Sequence, residues 1–431
     1  MARLLYLTTE FPLPSRSGGR ARSLSQLDLL ATLVDEIAVC SVAEEDVPQA
    51  LVSELGARIR RGGAEARILP PVAHPVHVRH SVGSLAKVAA YRVASRQPYV
   101  LAKWMSRSMD RMLDDVLRER WDVVFLDHLA SAAHLRRIRR SSRVGRIVLE
   151  EHNVETEFFD QFAARAPRWI RPLAQLEARA TRRAEAAALS EVDAVVTISA
   201  SDARGLADLV GSVKRMPAPL HVVAPAVRPA ADRPARQRSV PNFSFVGTLS
   251  WEPNRQGVEW LAATVWPIVR SLEPDAQLSI VGSGLPVGRD GSVEVPAAWA
   301  GPGVEVVGYV DVLEPVYRGS VAVVCPSFGG SGVRMKLLEA FHFGVPVVTN
   351  VDGAHGLDVT DDVELFVADD PHAFARRVVE LWRSPEVGER MVVAADRYLV
   401  ARHDPKAARA ALRTALDLPD PGPMDPGPMD R

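Results

Sequence analysis

The residues best placed to do chemistry fall between Val323 and Asn350, in the run VVCPSFGGSGVRMKLLEAFHFGVPVVTN. An apolar strand pattern gives way to Gly329, Gly330, Ser331 and Gly332. A helical pattern, a Gly-Val-Pro turn and a second apolar strand follow. Glycines at such a junction let a backbone come close to a ligand. A helix starting near Gly332 aims unpaired N–H groups and the positive end of its dipole at whatever stands in front of it. Arg334 and Lys336 fall in its first turn, where a cation opposes the dipole. Two cations there imply an anion that offsets them, and a diphosphate meets that requirement. Val333, Leu337, Ala340 and Phe341 share a packing face. Glu339 lies off it, and is either open to ligand hydroxyls or paired with Lys336 one turn away.

The first half offers three further groups. Gly18 and Gly19, in SRSGGRAR, either bring backbone up to a phosphate or sugar, with Arg20 and Arg22 beside them, or simply begin a helix. His152, in EEHNVE, follows a strand pattern and has acidic neighbours. It is a candidate active-site residue, with Glu150 or Glu155 to orient it. Asp127, in FLDHL, either meets the acceptor or caps the next helix, and Ser199–Asp202 reads as a cap.

These residues need strands to carry them. Strand patterns at Arg3–Thr9, Glu36–Val42, Val123–Leu126, Arg146–Leu149, Ala194–Ile198 and Leu220–Val223 alternate with helical stretches at Gly18–Val34 and around 82–118 and 155–190. A segment rich in proline, arginine and alanine, 226–240, interrupts this and reads as a linker between a first domain, 1–225, and a second, 241–398. The second repeats the alternation. Its strands are at Asn242–Val246, Ala276–Val281, Val304–Val307, Val321–Cys325, Val345–Thr349 and Glu364–Val367. Its helices are at Asn254–Ser271 and near 311–319, 332–343, 372–383 and 386–398. Such alternation predicts two α/β, doubly wound, Rossmann-like domains with ligands at the strand C-termini. Residues 399–418 read as a helix returning to the first domain. The tail 419–431, which repeats PGPMD, reads as disordered.

Composition narrows the class. The chain has 431 residues, 47% of them hydrophobic and 24% charged, so a large core needs no staples. Its two cysteines, Cys40 and Cys325, sit in apolar strand patterns and read as small buried hydrophobes. No CxxC, HExxH or Cys/His cluster suggests zinc. The apolar run Leu4–Thr8 is too short for a signal core or a span, so a cytoplasmic protein is expected. Residues 1–230 carry a net +7 and 231–431 a net −8. The basic runs His134–Arg146 and Arg165–Arg183 are either solvated helix surface or a peripheral contact with an anionic membrane. Nucleic acid is not expected, because the basic residues are not interleaved with aromatics, which make up 6% of the chain.

The Val323–Asn350 segment resembles the donor site of the GT-B glycosyltransferases of family 4, in the subset with a Gly-x-Arg-x-Lys-x-x-Glu-Ala loop. The resemblance implies that Glu339 holds the nucleotide's ribose. Ser331 stands where the family's first glutamate meets donor-sugar hydroxyls. Gly247 then opens a loop toward the phosphates, beside Asn254 and Arg255. Gly282, in VGSG, and Gly308, in VGY, flank the base. His152 resembles the first-domain histidine near the reacting carbon. The implied activity is retaining transfer of a hexose-type sugar from a nucleotide-diphosphate donor, without a cofactor or essential metal. The implied acceptor is a saccharide, a lipid-linked molecule or a secondary metabolite. A sugar-nucleotide epimerase and a non-catalytic sugar-nucleotide-binding protein share these features. A dehydrogenase does not fit, since no GxGxxG follows the first strand.

Overall fold

The structure is a computed structural model that describes residues 2–15, 17–43, 46–73, 92–93, 97–212, 217–233, 239–285, 294–329 and 332–419. Gly330, Ser331, much of the expected helical stretch 82–118 and all but the first residue of the expected tail lie outside them.

The N-terminal lobe is built on β1 (Arg3–Thr8), β2 (Glu36–Cys40), β3 (Val42–Ala43), β4 (Glu65–Ile68), β5 (Val72–Ala73), β6 (Trp121–Asp127), β7 (Val144–Glu151), β8 (Ala194–Thr197) and β9 (Leu220–Val222). Seven of these form one parallel sheet in the order β4-β2-β1-β6-β7-β8-β9, while β3 and β5 pair separately. Alternate residues of β1 feed opposite faces. Leu5 and Leu7 enter one core and Leu4 and Tyr6 the other, as a sheet covered on both sides requires.

The C-terminal lobe is built on β10 (Asn242–Val246), β11 (Gln277–Val281), β12 (Val304–Gly308), β13 (Ala322–Val324), β14 (Val347–Thr349) and β15 (Phe366–Val367), in the order β12-β11-β10-β13-β14-β15. That is the doubly wound Rossmann order, with the strand direction of travel reversing between β10 and β13. In the first lobe the same reversal lies between β1 and β6. Ligands of such sheets sit outside the strand C-termini at these two points.

Four elements differ from the sequence reading in a physically simple way. The helix Gln49–Arg61 and strand β4 were not foreseen, because β4 alternates exposed and half-buried residues and carries no apolar run. The helix expected at 386–398 runs over Pro385–Arg402, and the last helix begins only at Pro405, where Asp404 accepts a bond from the Lys406 N–H. That last helix, Pro405–Leu416, leaves the second lobe. It buries Ala408, Leu412, Ala415 and Leu416 in the N-terminal core. At the crossing, Val227 N–H donates to the His403 carbonyl and the His403 Nδ1 lies 2.8 Å from the Pro225 carbonyl, so the two inter-lobe connections are tied together. Among the described residues no helix is long and apolar enough to cross a membrane.

Candidate active site

On the C-terminal lobe the site begins as a ledge of glycines. Gly247 follows β10 and its N–H donates to the Val281 carbonyl. Gly282 N–H donates to the Gly308 carbonyl at 2.8 Å. A Cβ on Gly282 would stand 1.7 Å from the Gly247 carbonyl oxygen, so only glycine fits. Three adjacent strands therefore end in bare backbone.

Lys336 reaches this ledge. Its Nζ donates to Asn254 Oδ1 at 2.7 Å, lies 4.5 Å from the centre of the Phe245 ring, and would be 3.4 Å from a Cβ added to Gly247. Asn254 is fixed in turn by a bond from its Nδ2 to the Thr248 carbonyl. Burial lowers the Lys336 pKa, and the Arg334 charge adds to that, against opposing contributions from Cys325 and Glu339. Arg255 takes no part in the ledge, since Glu252 and Glu259 hold it on the helix surface.

The helix behind the glycine loop is Met335–His342. It starts three residues later than the sequence suggests, because Gly332 at φ 80° and the extended Arg334 do not fit a helical turn. Arg334 is its N-cap residue, and its guanidinium donates to the Gly329 carbonyl at 2.7 Å. Asp352 and, from the other lobe, Asp202 are near enough to support its charge against burial.

The helix-surface pairing of Glu339 with Lys336 is absent. Glu339 Oε2 accepts from the Tyr317 hydroxyl at 3.0 Å, and the Tyr317 ring stacks on Phe343 at 4.9 Å. Burial raises the Glu339 pKa, while the Tyr317 bond and the Lys336 charge oppose the rise. Nothing in the sequence signals this role for Tyr317.

The loop glycines serve the meeting of the lobes. Gly329 and Gly332 both have positive φ, 78° and 80°. A Cβ on Gly332 would stand 2.5 Å from Asn153 Oδ1 and 2.6 Å from the His152 carbonyl. One on Gly329 would stand 2.6 Å from the Arg165 guanidinium. The glycine loop thus lies against the segment that carries His152. Phe158 of the N-terminal lobe stacks on Trp251 of the other at 5.4 Å.

On the N-terminal lobe, His152 follows β7 and its Nε2 lies 2.8 Å from Asp127 Oδ1, at the end of β6, and 3.8 Å from Glu150 Oε2. Burial alone would lower the imidazole pKa. The Asp127 charge and hydrogen bond, with help from Glu150, overcome this and raise it to about 9. Burial would likewise raise the Asp127 pKa, but His152, Ser23 and Thr8 lower it to about 2. Asp127 is therefore the residue that orients His152. Glu150 is taken up by a buried ion pair with Arg22, and Glu155 faces His128, with Nε2 and Oε1 3.1 Å apart. Asp127 is not a cap: its Oδ2 accepts from Ser23 Oγ at 2.6 Å, and His128, at φ 81°, accepts the Ala130 N–H through Nδ1 instead. Ser199 does act as a cap, accepting the Asp202 N–H at 3.0 Å.

Gly18 and Gly19 open the helix Gly18–Leu30 behind an N-cap, Ser17. A Cβ on Gly18 would meet no atom within 4 Å. The flanking arginines are both taken up by carboxylates of the protein itself. Arg20 pairs with Glu10 at 2.8 Å, and Arg22 is buried against Glu150 and the Val223 carbonyl. Donor atoms of Asp127, Glu150 and His152 lie within 4.8 Å of one another, a spacing a cation could use. Arg22 and a protonated His152 already balance both carboxylates, so a cation would have to displace a proton and compete with a guanidinium.

Comparison with known proteins follows the same division into lobes. Residues 240–384, within the C-terminal lobe, match the family model described as "Glycosyl transferases group 1". An uncharacterized 44.6 kDa protein of the cps region of Klebsiella pneumoniae is 26% identical over 140 residues, covering 32% of this chain and 36% of that protein. The chain thus matches about a third of that relative's length. The whole fold resembles sucrose-phosphate synthase of Thermosynechococcus elongatus, with a TM-score of 0.67 at 14% identity over 96% of this chain and 98% of that one. HepE of Anabaena, in complex with UDP and glucose, gives 0.63 at 12% identity, over 97% and 100%. TarM of S. aureus, in complex with UDP, Fondaparinux and α-GlcNAc-glycerol, gives 0.67 at 9% identity, over 97% and 100%. The two facing Rossmann-like lobes are the GT-B fold.

Proposed function

We propose that this chain is a retaining glycosyltransferase that moves a hexose-type sugar from a nucleoside-diphosphate donor to a saccharide, lipid-linked or secondary-metabolite acceptor. One observation carries the reading: the buried Lys336 ammonium stands over Gly247 at the end of β10, where the strand order of a Rossmann sheet reverses. HepE, of the same fold, has been solved with UDP and with UDP-glucose.

In this scheme the diphosphate lies over Gly247, and Gly282 and Gly308 flank the base. Lys336, Arg334 and the first N–H groups of the Met335–His342 helix stabilise the charge that develops on the leaving phosphate, as preorganised electrostatics. Glu339, steered by Tyr317, accepts the ribose hydroxyls. His152 faces the sugar as an imidazolium held by Asp127. The bond from the sugar's anomeric carbon to the phosphate breaks as the acceptor oxygen bonds to that carbon on the same face. The acceptor proton passes to the leaving phosphate. The scheme needs no metal or cofactor, and lobe closure over the donor limits hydrolysis.

The test is a panel of nucleoside-diphosphate sugars scored by thermal shift, followed by product analysis with the donor that binds. Arg334→Ala should slow turnover far more than it lowers Tm. If no sugar nucleotide raises Tm and none is consumed, the proposal fails. Release of an epimerised donor without an acceptor would replace transfer by epimerisation.

A further inference from the structure

The helices Glu155–Arg165 and Arg171–Glu191 form a hairpin whose small core of Ala163, Ala166, Ala174 and Ala178 faces inward. The outer face is unusually apolar. Trp169 at the tip is 82% exposed, Leu173 and Leu176, one turn apart, are 65% and 57% exposed, and Phe162 on the first helix is 53% exposed. Glu177 of the second helix binds both the Arg92 guanidinium and the Tyr99 N–H, and Val93, next to Arg92 in sequence, is 79% exposed. Exposed arginines surround this patch: Arg168, Arg171, Arg179 and Arg183.

We infer that this hairpin face docks the protein on an anionic lipid bilayer. A tryptophan and leucines ringed by arginines suit an interface where the apolar part enters the acyl boundary and the guanidinium groups stay with phosphate headgroups. A second copy of the chain would set arginines against arginines, whereas anionic lipid neutralises them. In the other basic run, His134–Arg146, three of the arginines are engaged within the protein. Arg137 pairs with Asp110 and Asp114, Arg139 pairs with Asp193, and Arg146 donates to the Ala415 carbonyl.

Docking here would hold the active-site cleft beside the bilayer, because Arg165 at the end of the same hairpin's first helix donates to the Phe328 carbonyl of the donor loop. Resting on the transferase reading, this selects a lipid-linked acceptor.

The experiment is sedimentation of the full chain with phosphatidylglycerol/phosphatidylcholine vesicles and with pure phosphatidylcholine vesicles. We expect binding to the anionic vesicles only. Each of Arg168→Gln and Arg179→Gln should weaken it about fivefold. The triple variant Trp169→Ser, Leu173→Ser, Leu176→Ser should weaken it at least about tenfold. Brominated lipid should quench the wild-type fluorescence, and Trp169→Leu should lose that quenching while still sedimenting. No sedimentation of the wild type, or sedimentation unchanged in these variants, overturns the inference. So does a wild-type dimer that the triple variant turns into a monomer. Donor-induced stabilisation, measured in parallel, should persist in every variant, so failure of docking and failure of the transferase reading are separable.

Discussion

Replacing Lys336 with methionine keeps the volume of the side chain and removes its charge. Without donor, the ammonium has a bond to Asn254 and the face of Phe245, interactions of about 1.5–3 and 0.5–2 kcal/mol in favourable settings. Its pKa is nevertheless lowered, which means that burial costs the charged form more than these contacts return. Loss of the charge should therefore leave the unliganded protein as stable as before, or more so. With donor the sign reverses. A diphosphate on the glycine ledge would restore the favourable field, and removal of one preorganised donor of this kind costs about 10²–10³-fold in turnover, or about 2.7–4 kcal/mol. Thermal shift separates the two effects. At nucleotide concentrations about 100 times Kd, the wild type gains about 2.7 kcal/mol, roughly 5 °C. A variant with Kd weakened about 100-fold gains about 0.4 kcal/mol, under about 1 °C. Urea melts of the two apoproteins give the other half of the comparison. If Lys336→Met unfolds earlier by as much as it loses in turnover, the residue is structural and the donor-site argument is wrong.

Asp127→Asn removes the charge that holds His152 protonated. The raised imidazole pKa adds stability that is complete below about 6.5 and is lost as pH rises through about 9. The variant should thus lose roughly 3 kcal/mol near pH 6 and little at about pH 10, as read from urea melts, while the His152 ring proton titrates lower by NMR. Tyr317→Phe frees the Glu339 carboxylate to turn. It should raise the donor KM several-fold with a smaller change in kcat, as initial-rate kinetics would show. Gly332→Ala places a methyl group against Asn153 and the His152 carbonyl at a φ that disfavours alanine. Turnover should fall at least about tenfold, and small-angle scattering should report more open lobes. Arg255→Gln, at a residue that Glu252 and Glu259 hold away from the ledge, should keep the wild-type kcat/KM in initial-rate assays.

The strand C-termini were legible because buried parallel strands leave unbroken apolar runs, and the glycines after them stand out against that pattern. Arg334 and Lys336 read as partners of a diphosphate, and the resemblance turned Gly247 toward the same phosphates; the structure places Lys336 beside Gly247 although 89 positions separate them in sequence. Side-chain partners were harder. Choosing Glu150 or Glu155 for His152 followed proximity in sequence. The parallel pairing of β6 with β7 instead sets Asp127 opposite Glu150 and hands His152 to Asp127. Arg22 looked like a phosphate ligand from its place after two glycines. Its position one turn into a buried helix points it inward at Glu150. The loop glycines were read as a floor for ligand, and a single-lobe view gives no hint that Gly332 faces the other lobe.

The return of the last helix to the first lobe has a consequence for biosynthesis. Leu412 and Leu416 complete a core whose other members, Leu4, Leu24 and Leu27 among them, emerge from the ribosome hundreds of residues earlier. The N-terminal sheet has its strands by Val222 and the C-terminal one by Val367, yet the N-terminal sheet waits with an uncovered apolar surface for Pro405–Leu416. A chain that stalls or is cut just after Arg402 would leave that surface to chaperones, proteases or aggregation.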